Sequence, residues 1–108
     1  MKVVGKEVLS DLAKRHADVR EQVAAWIAEA EEADWKSQQD VRDRYRSVSF
    51  IGTRAVFNLK GTKYRLVATI AFKTGVVVIE RAGTHAEYTK WKLCDDYYYK
   101  SSKDSGGA

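Results

Sequence analysis

His85 and Tyr88 stand three residues apart in the run Gly83-Thr84-His85-Ala86-Glu87-Tyr88. Histidine titrates near neutrality and can act as general acid or base. Tyrosine can donate a proton, stack on a base, or both. At a strand-to-helix junction this spacing projects both side chains from one side of the helix. A capped helix start with a buried tyrosine accounts for the same two residues without any chemistry. Lys63 and Arg65 form a second pair, two residues apart on one side of an alternating strand, a separation of about 7 Å. Cationic side chains on an uncovered sheet face suit a phosphate-contacting surface better than a core.

The remaining reactive residue types are sparse. His16 falls near the end of a helix, where it fits the C-terminal dipole. Cys94 has no histidine near it in the sequence and reads as a small hydrophobe. Trp26 reads as core. Trp91 is either a lid on the sheet or part of the basic aromatic run Lys90-Trp91-Lys92. Tyr97-Tyr98-Tyr99-Lys100 could stack on bases, or form a half-buried packing segment. The chain has no P-loop, no Gly-x-Gly-x-x-Gly, no Ser-centred nucleophile elbow and no metal-ligand cluster in its sequence. One cysteine and two histidines make neither an internal disulfide nor a zinc site, so no cofactor is expected.

At 108 residues the chain has the length of one domain, and 44% hydrophobic with 31% charged residues is an ordinary globular composition. No apolar run is long enough to span a membrane. Met1-Lys2-Val3-Val4-Gly5-Lys6 lacks an h-region, which predicts no signal peptide and a reducing, cytoplasmic setting. The formal charge of +4 is unevenly placed. Residues 1–51 hold nine Lys/Arg against ten Asp/Glu, whereas residues 52–108 hold ten against five. The second half is the one that attracts a polyanion, although a basic surface also serves solubility.

These residues need elements to position them. Val8, Leu9, Leu12 and Ala13 share one face of a helix from about Lys6 to His16. Asp18 reads as the N-cap of a second helix, with Glu21 completing a capping box. Val23, Trp26, Ile27 and Ala30 make its apolar stripe. The short join predicts an antiparallel helical hairpin. Residues 35–45 suggest one or two helical turns, and Met1 to Val4 a short strand. The period then changes. Thr53 to Leu59 alternates, with Ala55, Phe57 and Leu59 opposite Arg54, Val56 and Asn58. After the tight turn Lys60-Gly61-Thr62, Lys63 to Phe72 puts Tyr64, Leu66, Ala68, Ile70 and Phe72 opposite Lys63, Arg65, Val67, Thr69 and Ala71. Lys73-Thr74-Gly75 turns into a β-branched third strand, Val76 to Arg81. Thr84 caps a short helix, with Glu87 closing the box. The expected architecture is α+β: a helical hairpin packed on a small antiparallel sheet, then a short C-terminal helix, in one domain over 1–100 with a flexible tail, 101–108.

Two segments together carry a resemblance. Phe57-Asn58-Leu59-Lys60-Gly61-Thr62-Lys63-Tyr64-Arg65-Leu66-Val67-Ala68 and Val78-Ile79-Glu80-Arg81-Ala82-Gly83-Thr84-His85-Ala86-Glu87-Tyr88 resemble the HigB-type toxins of bacterial toxin–antitoxin modules, within the RelE-like group of mRNA interferases. The likeness covers about residues 1–92, and the tail beyond it has no counterpart. It implies a four-stranded sheet with Lys2-Val3-Val4 as first strand, cleavage of mRNA in the ribosomal A site, and a helix-turn-helix antitoxin as partner. Glu80-Arg81 departs from the Arg-Glu or Arg-His order of other members, which leaves open which of the two faces the site.

Residue chemistry is compatible with that implied activity. Metal-free RNA cleavage uses the 2′-hydroxyl as nucleophile, so the enzyme must take its proton, stabilise the phosphate and protonate the 5′-oxygen. Arg65 is the expected clamp, because its fork matches phosphate oxygens. His85 is the candidate acid or base and Tyr88 its partner. Lys60, Lys63, Arg54, Lys90 and Trp91 are the expected RNA contacts. A site this sparse needs the ribosome to hold the message in line. The alternative is a non-catalytic RNA- or ribosome-binding module on the same basic sheet, which needs neither His85 nor Tyr88. A bare interaction domain leaves the basic second half unexplained.

Overall fold

The computed structural model describes residues 1–91. Lys92, Cys94, Tyr97 to Tyr99 and the tail 101–108 lie outside the described residues. The element order is β1 (Lys2–Val4), α1 (Lys6–Arg15), a 3-10 turn (Ala17–Val19), α2 (Arg20–Glu32), α3 (Gln38–Arg44), β2 (Ser49–Ile51), β3 (Arg54–Leu59), β4 (Tyr64–Ala71), β5 (Val76–Thr84) and α4 (His85–Tyr88). The architecture is α+β, as the change of hydrophobic period requires.

The sheet has five strands in the order β1-β5-β4-β3-β2. β2 to β5 are antiparallel neighbours, and β1 joins β5 in parallel. The hairpin-linked strands are antiparallel as expected, while the sheet has one strand more than the four the resemblance implies and β1 makes it mixed. The extra strand, Ser49–Ile51, is a short edge piece that exists through its pairing with Arg54–Val56. Gly5 makes the turn from β1 into α1 with φ of 88°, and a Cβ there would meet the Ile79 carbonyl oxygen at 2.6 Å. Glycine meets both demands.

One face of the sheet is covered. Leu9 and Leu12 of α1, Val23, Trp26 and Ala30 of α2, and Val41 of α3 bury against Ala55, Phe57, Leu59, Tyr64, Leu66, Ala68, Ile70, Val77 and Ile79. Trp26 and Tyr45 both meet the Phe57 ring edge-on, with centroids 5.2 Å away in each case. Truncating Phe57 to alanine would cost about 3–5 kcal/mol. The alternation along β3 and β4 follows directly: inward positions are apolar because the helices cover them. Val56 and Val67, on the other face, are buried as well. They stand opposite each other in register.

Asp18 does not cap α2. The residue before α2 is Val19, with no side-chain cap, and Asp18 sits inside the 3-10 turn. Its carboxylate instead accepts from Lys63 Nζ at 2.8 Å and from the Tyr64 hydroxyl at 2.7 Å, and pairs with Lys60 Nζ at 3.4 Å. A cap supplies one hydrogen bond to a backbone N–H, whereas this position supplies two ammonium groups and a phenol. The His16 ring, just before the turn, packs on Tyr64 with centroids 5.2 Å apart.

Candidate active site

The sheet face away from the helices is built from alternate residues of β3, β4 and β5, and Val56 and Val67 are buried at its middle strands. Asn58 pairs with Arg65, and Arg65 with Gly83. Along β5 the register skips one residue: Val67 pairs with Arg81, but Ala68 pairs with Ile79. Glu80 is the extra residue of this β-bulge, so Glu80 and Arg81 both face the open side. The bulge answers the question left by the order Glu80-Arg81.

The capping box forms as the sequence spells it. Thr84 Oγ1 accepts from the Glu87 backbone N–H at 3.1 Å, and the Glu87 carboxylate accepts from the Thr84 N–H at 2.8 Å. That bond, with Arg15 3.7 Å from the second carboxylate oxygen, holds Glu87 below its ordinary pKa. The backbone N–H of His85 donates to the Lys63 carbonyl at 3.0 Å. Together these contacts set α4 on the end of β4, beside Arg65. Gly83 permits the approach: a Cβ there would stand 2.5 Å from Glu87 Oε1 and 3.2 Å from Trp91 Cζ2.

On this base the side chains alternate cation and ring. The Arg65 guanidinium lies 5.2 Å from the centroid of Tyr88. Tyr88 meets Trp91 at 5.9 Å and His85 at 6.4 Å, both edge-on. Arg81 lies over Trp91 at 5.6 Å. Arg65 Nη1 donates to Asn58 Oδ1 and, at 3.4 Å, to the Thr62 carbonyl. The ladder Arg65–Tyr88–Trp91–Arg81, with His85 at one side, can bind an anion at two guanidinium groups and stack a planar group on its rings.

The structure thus brings Arg65, His85, Tyr88 and Trp91 together. The other expected contacts sit differently. Arg54 is on the same face and pairs with Glu80 at 2.9 Å. Burial pushes Glu80 up, but hydrogen bonds from Thr69 and Arg54 outweigh it and keep its pKa below the ordinary value. Lys60 and Lys63 turn to Asp18 at the helical layer. Hydrogen bonds from Lys63 and then Tyr64 hold the Asp18 carboxyl well below the usual carboxylate range. Lys90 is exposed beyond α4. Asn58 and Arg81 are the participants that sequence reasoning did not assign. For Asn58 a signal existed, since the turn closing Leu59 onto Tyr64 sets Asn58 opposite Arg65. Among the described residues no group of three or more His, Cys, Asp or Glu is placed to hold a metal ion.

No curated protein matches the chain. A family model described as HigB_toxin, RelE-like toxic component of a toxin-antitoxin system, matches residues 19–91. That span includes α2, every strand of the sheet except β1, and the whole Arg65–Tyr88–Trp91–Arg81 ladder. The chain therefore belongs to the HigB toxin family, the RelE-like toxic component of a toxin–antitoxin system.

Proposed function

We propose that the chain is an mRNA interferase: a ribosome-dependent endoribonuclease that cuts translated mRNA by metal-independent transfer to the 2′-hydroxyl. The observation that carries this reading is the Arg65 guanidinium set over Tyr88 with His85 beside it. Attack of the 2′-oxygen on the neighbouring phosphorus makes a pentacoordinate phosphorane and expels the 5′-oxygen, leaving a 2′,3′-cyclic phosphate. Arg65 takes the negative charge that grows on the non-bridging oxygens, where a fixed donor is worth most. His85 moves a proton, and Tyr88 shares that transfer or holds a base by stacking. Arg81, over Trp91, meets a second phosphate.

The in-line geometry of attack is left to the ribosome, whose A site would present the message already extended. The family makes an antitoxin the partner; a helix-turn-helix antitoxin and a cytoplasmic setting complete the proposal. No helix among the described residues is long and apolar enough to cross a membrane. Induction in growing bacteria tests the reading. Wild type should arrest growth and create new mRNA 5′ ends inside coding regions, and His85→Ala should do neither. Arrest by both proteins without new ends would favour the non-catalytic ribosome-binding module.

A further inference from the structure

Arg65 lies on the open face near the start of β4, and its guanidinium is not left to choose its own orientation. Asn58 stands opposite it across β3 and β4. The Asn58 carbonyl oxygen accepts from Arg65 Nη1, and the Thr62 carbonyl accepts from the same nitrogen at 3.4 Å. An arginine Nη carries two protons, so both on Nη1 have an acceptor. The guanidinium carbon lies over the Tyr88 ring, 5.2 Å from its centroid. Among the described residues nothing accepts from Nε or Nη2. The edge that remains is the Nε–Nη2 edge, two parallel N–H groups at the spacing of two phosphate oxygens.

We propose that Asn58 is a positioning residue: it turns Arg65 so that the Nε–Nη2 edge is the one offered to the scissile phosphate. The inference rests on the mRNA-interferase reading. Asn58 acts through Arg65 and touches no substrate. Asparagine suits the task because its amide oxygen is neutral. A carboxylate at the same place would orient the fork as well, but would also neutralise the charge that the phosphate needs.

Two variants separate positioning from support. Asn58→Leu keeps the volume and removes the acceptor. Asn58→Asp keeps the acceptor and adds charge. Both are compared with wild type and Arg65→Ala on ribosomes programmed with a defined message, reading the maximal cleavage rate, the half-saturating concentration and the melting temperature. A misplaced catalytic group costs up to about 100-fold. Asn58→Leu should lower the maximal rate by about 10–100-fold and change the half-saturating concentration by less than about two-fold. Asn58→Asp should melt at or above the wild-type temperature and still cleave slowly, so that stability and activity part. The proposal is overturned if Asn58→Leu cleaves as wild type does. It is equally overturned if Asn58→Asp restores both the melting temperature and the rate, since Asn58 would then be structural. Cleavage by Arg65→Ala at the wild-type rate would instead remove the interferase reading on which the inference stands.

Discussion

The guanidinium of Arg65 lies over the ring of Tyr88, 5.2 Å from its centroid, although one residue belongs to β4 and the other to the helix that follows β5. The contact joins the two segments that carry the family resemblance. It depends on the register of β4 with β5, on the capping box at Thr84 and on the missing side chain at Gly83.

Arg65→Ala should keep the fold and lose the chemistry. Its guanidinium lies on the open face, outside the hydrophobic core, so the melting temperature should stay within a few degrees. Loss of one donor to a developing anion costs about 10²–10³-fold in rate. Cleavage of translated mRNA should fall by at least that factor. Growth arrest equal to wild type at equal expression would show that Arg65 is not the clamp.

His85 and Tyr88 can be told apart by substitution. His85→Ala should lower cleavage by about 10²-fold or more, the usual size of a lost acid–base group. Ribosome binding should survive, because it rests on many cations. Tyr88→Phe keeps the platform under Arg65 and removes the hydroxyl. Cleavage near wild type by this variant assigns Tyr88 to stacking, and a loss matching that of His85→Ala assigns it to proton transfer. Thermal melts run beside the assay test the structural explanation, in which activity follows lost fold.

Gly83→Ala should disturb both stability and activity. The new methyl would meet the Glu87 carboxylate at 2.5 Å, yet that carboxylate is held by the Thr84 N–H. The box must open or Trp91 must move. A lost cap costs about 1 kcal/mol, which lowers the melting temperature by roughly 4–8 °C in a domain of this size. Cleavage should fall further than this loss of folded protein accounts for, since α4 carries both His85 and Tyr88. Unchanged melting and cleavage would mean that α4 is not seated by this approach.

Local signals were legible in the sequence, and long-range ones were not. The Thr84–Glu87 box and the alternation of β3 and β4 are written in neighbouring residues, so they could be read directly. Asp18 shows the limit. Its spacing from Glu21 matches a helix start, but Lys60, Lys63 and Tyr64 arrive from the far side of the chain and take the carboxylate. The same event removes two lysines from the expected RNA surface. The Glu80 bulge depends on how β4 pairs with β5, which no run of residues in β5 reveals. β2 has no autonomous pattern and forms because β3 offers an edge.

The Asp18 cluster makes a pH prediction. The Asp18 pKa is held far below its ordinary 3.8, with the hydrogen bond from Lys63 the main cause. A lowered carboxylate contributes stability above its unfolded value, and that contribution is lost as pH falls through the folded one. The Lys63 pKa is raised from 10.5 by the same bond. That contribution is full below 10.5 and lost as pH rises through the raised value. Wild type should therefore hold a stability plateau between these limits and weaken on both sides. Asp18→Asn should be less stable on the plateau and show shallower acid and alkaline limbs, as measured by denaturant melts across pH. Limbs identical to wild type would mean that the cluster does not contribute to folding.

The most direct measurement of the central claim is cleavage by the purified protein of one message in two states, translated in an extract and free in buffer, with 5′ ends mapped. Wild type should cut the translated message at discrete positions within the reading frame and leave the free RNA almost intact, with or without a chelator, and Arg65→Ala should cut neither. Rapid cleavage of the free RNA that a chelator abolishes would contradict both the ribosome dependence and the metal-free chemistry assigned to Arg65, His85 and Tyr88.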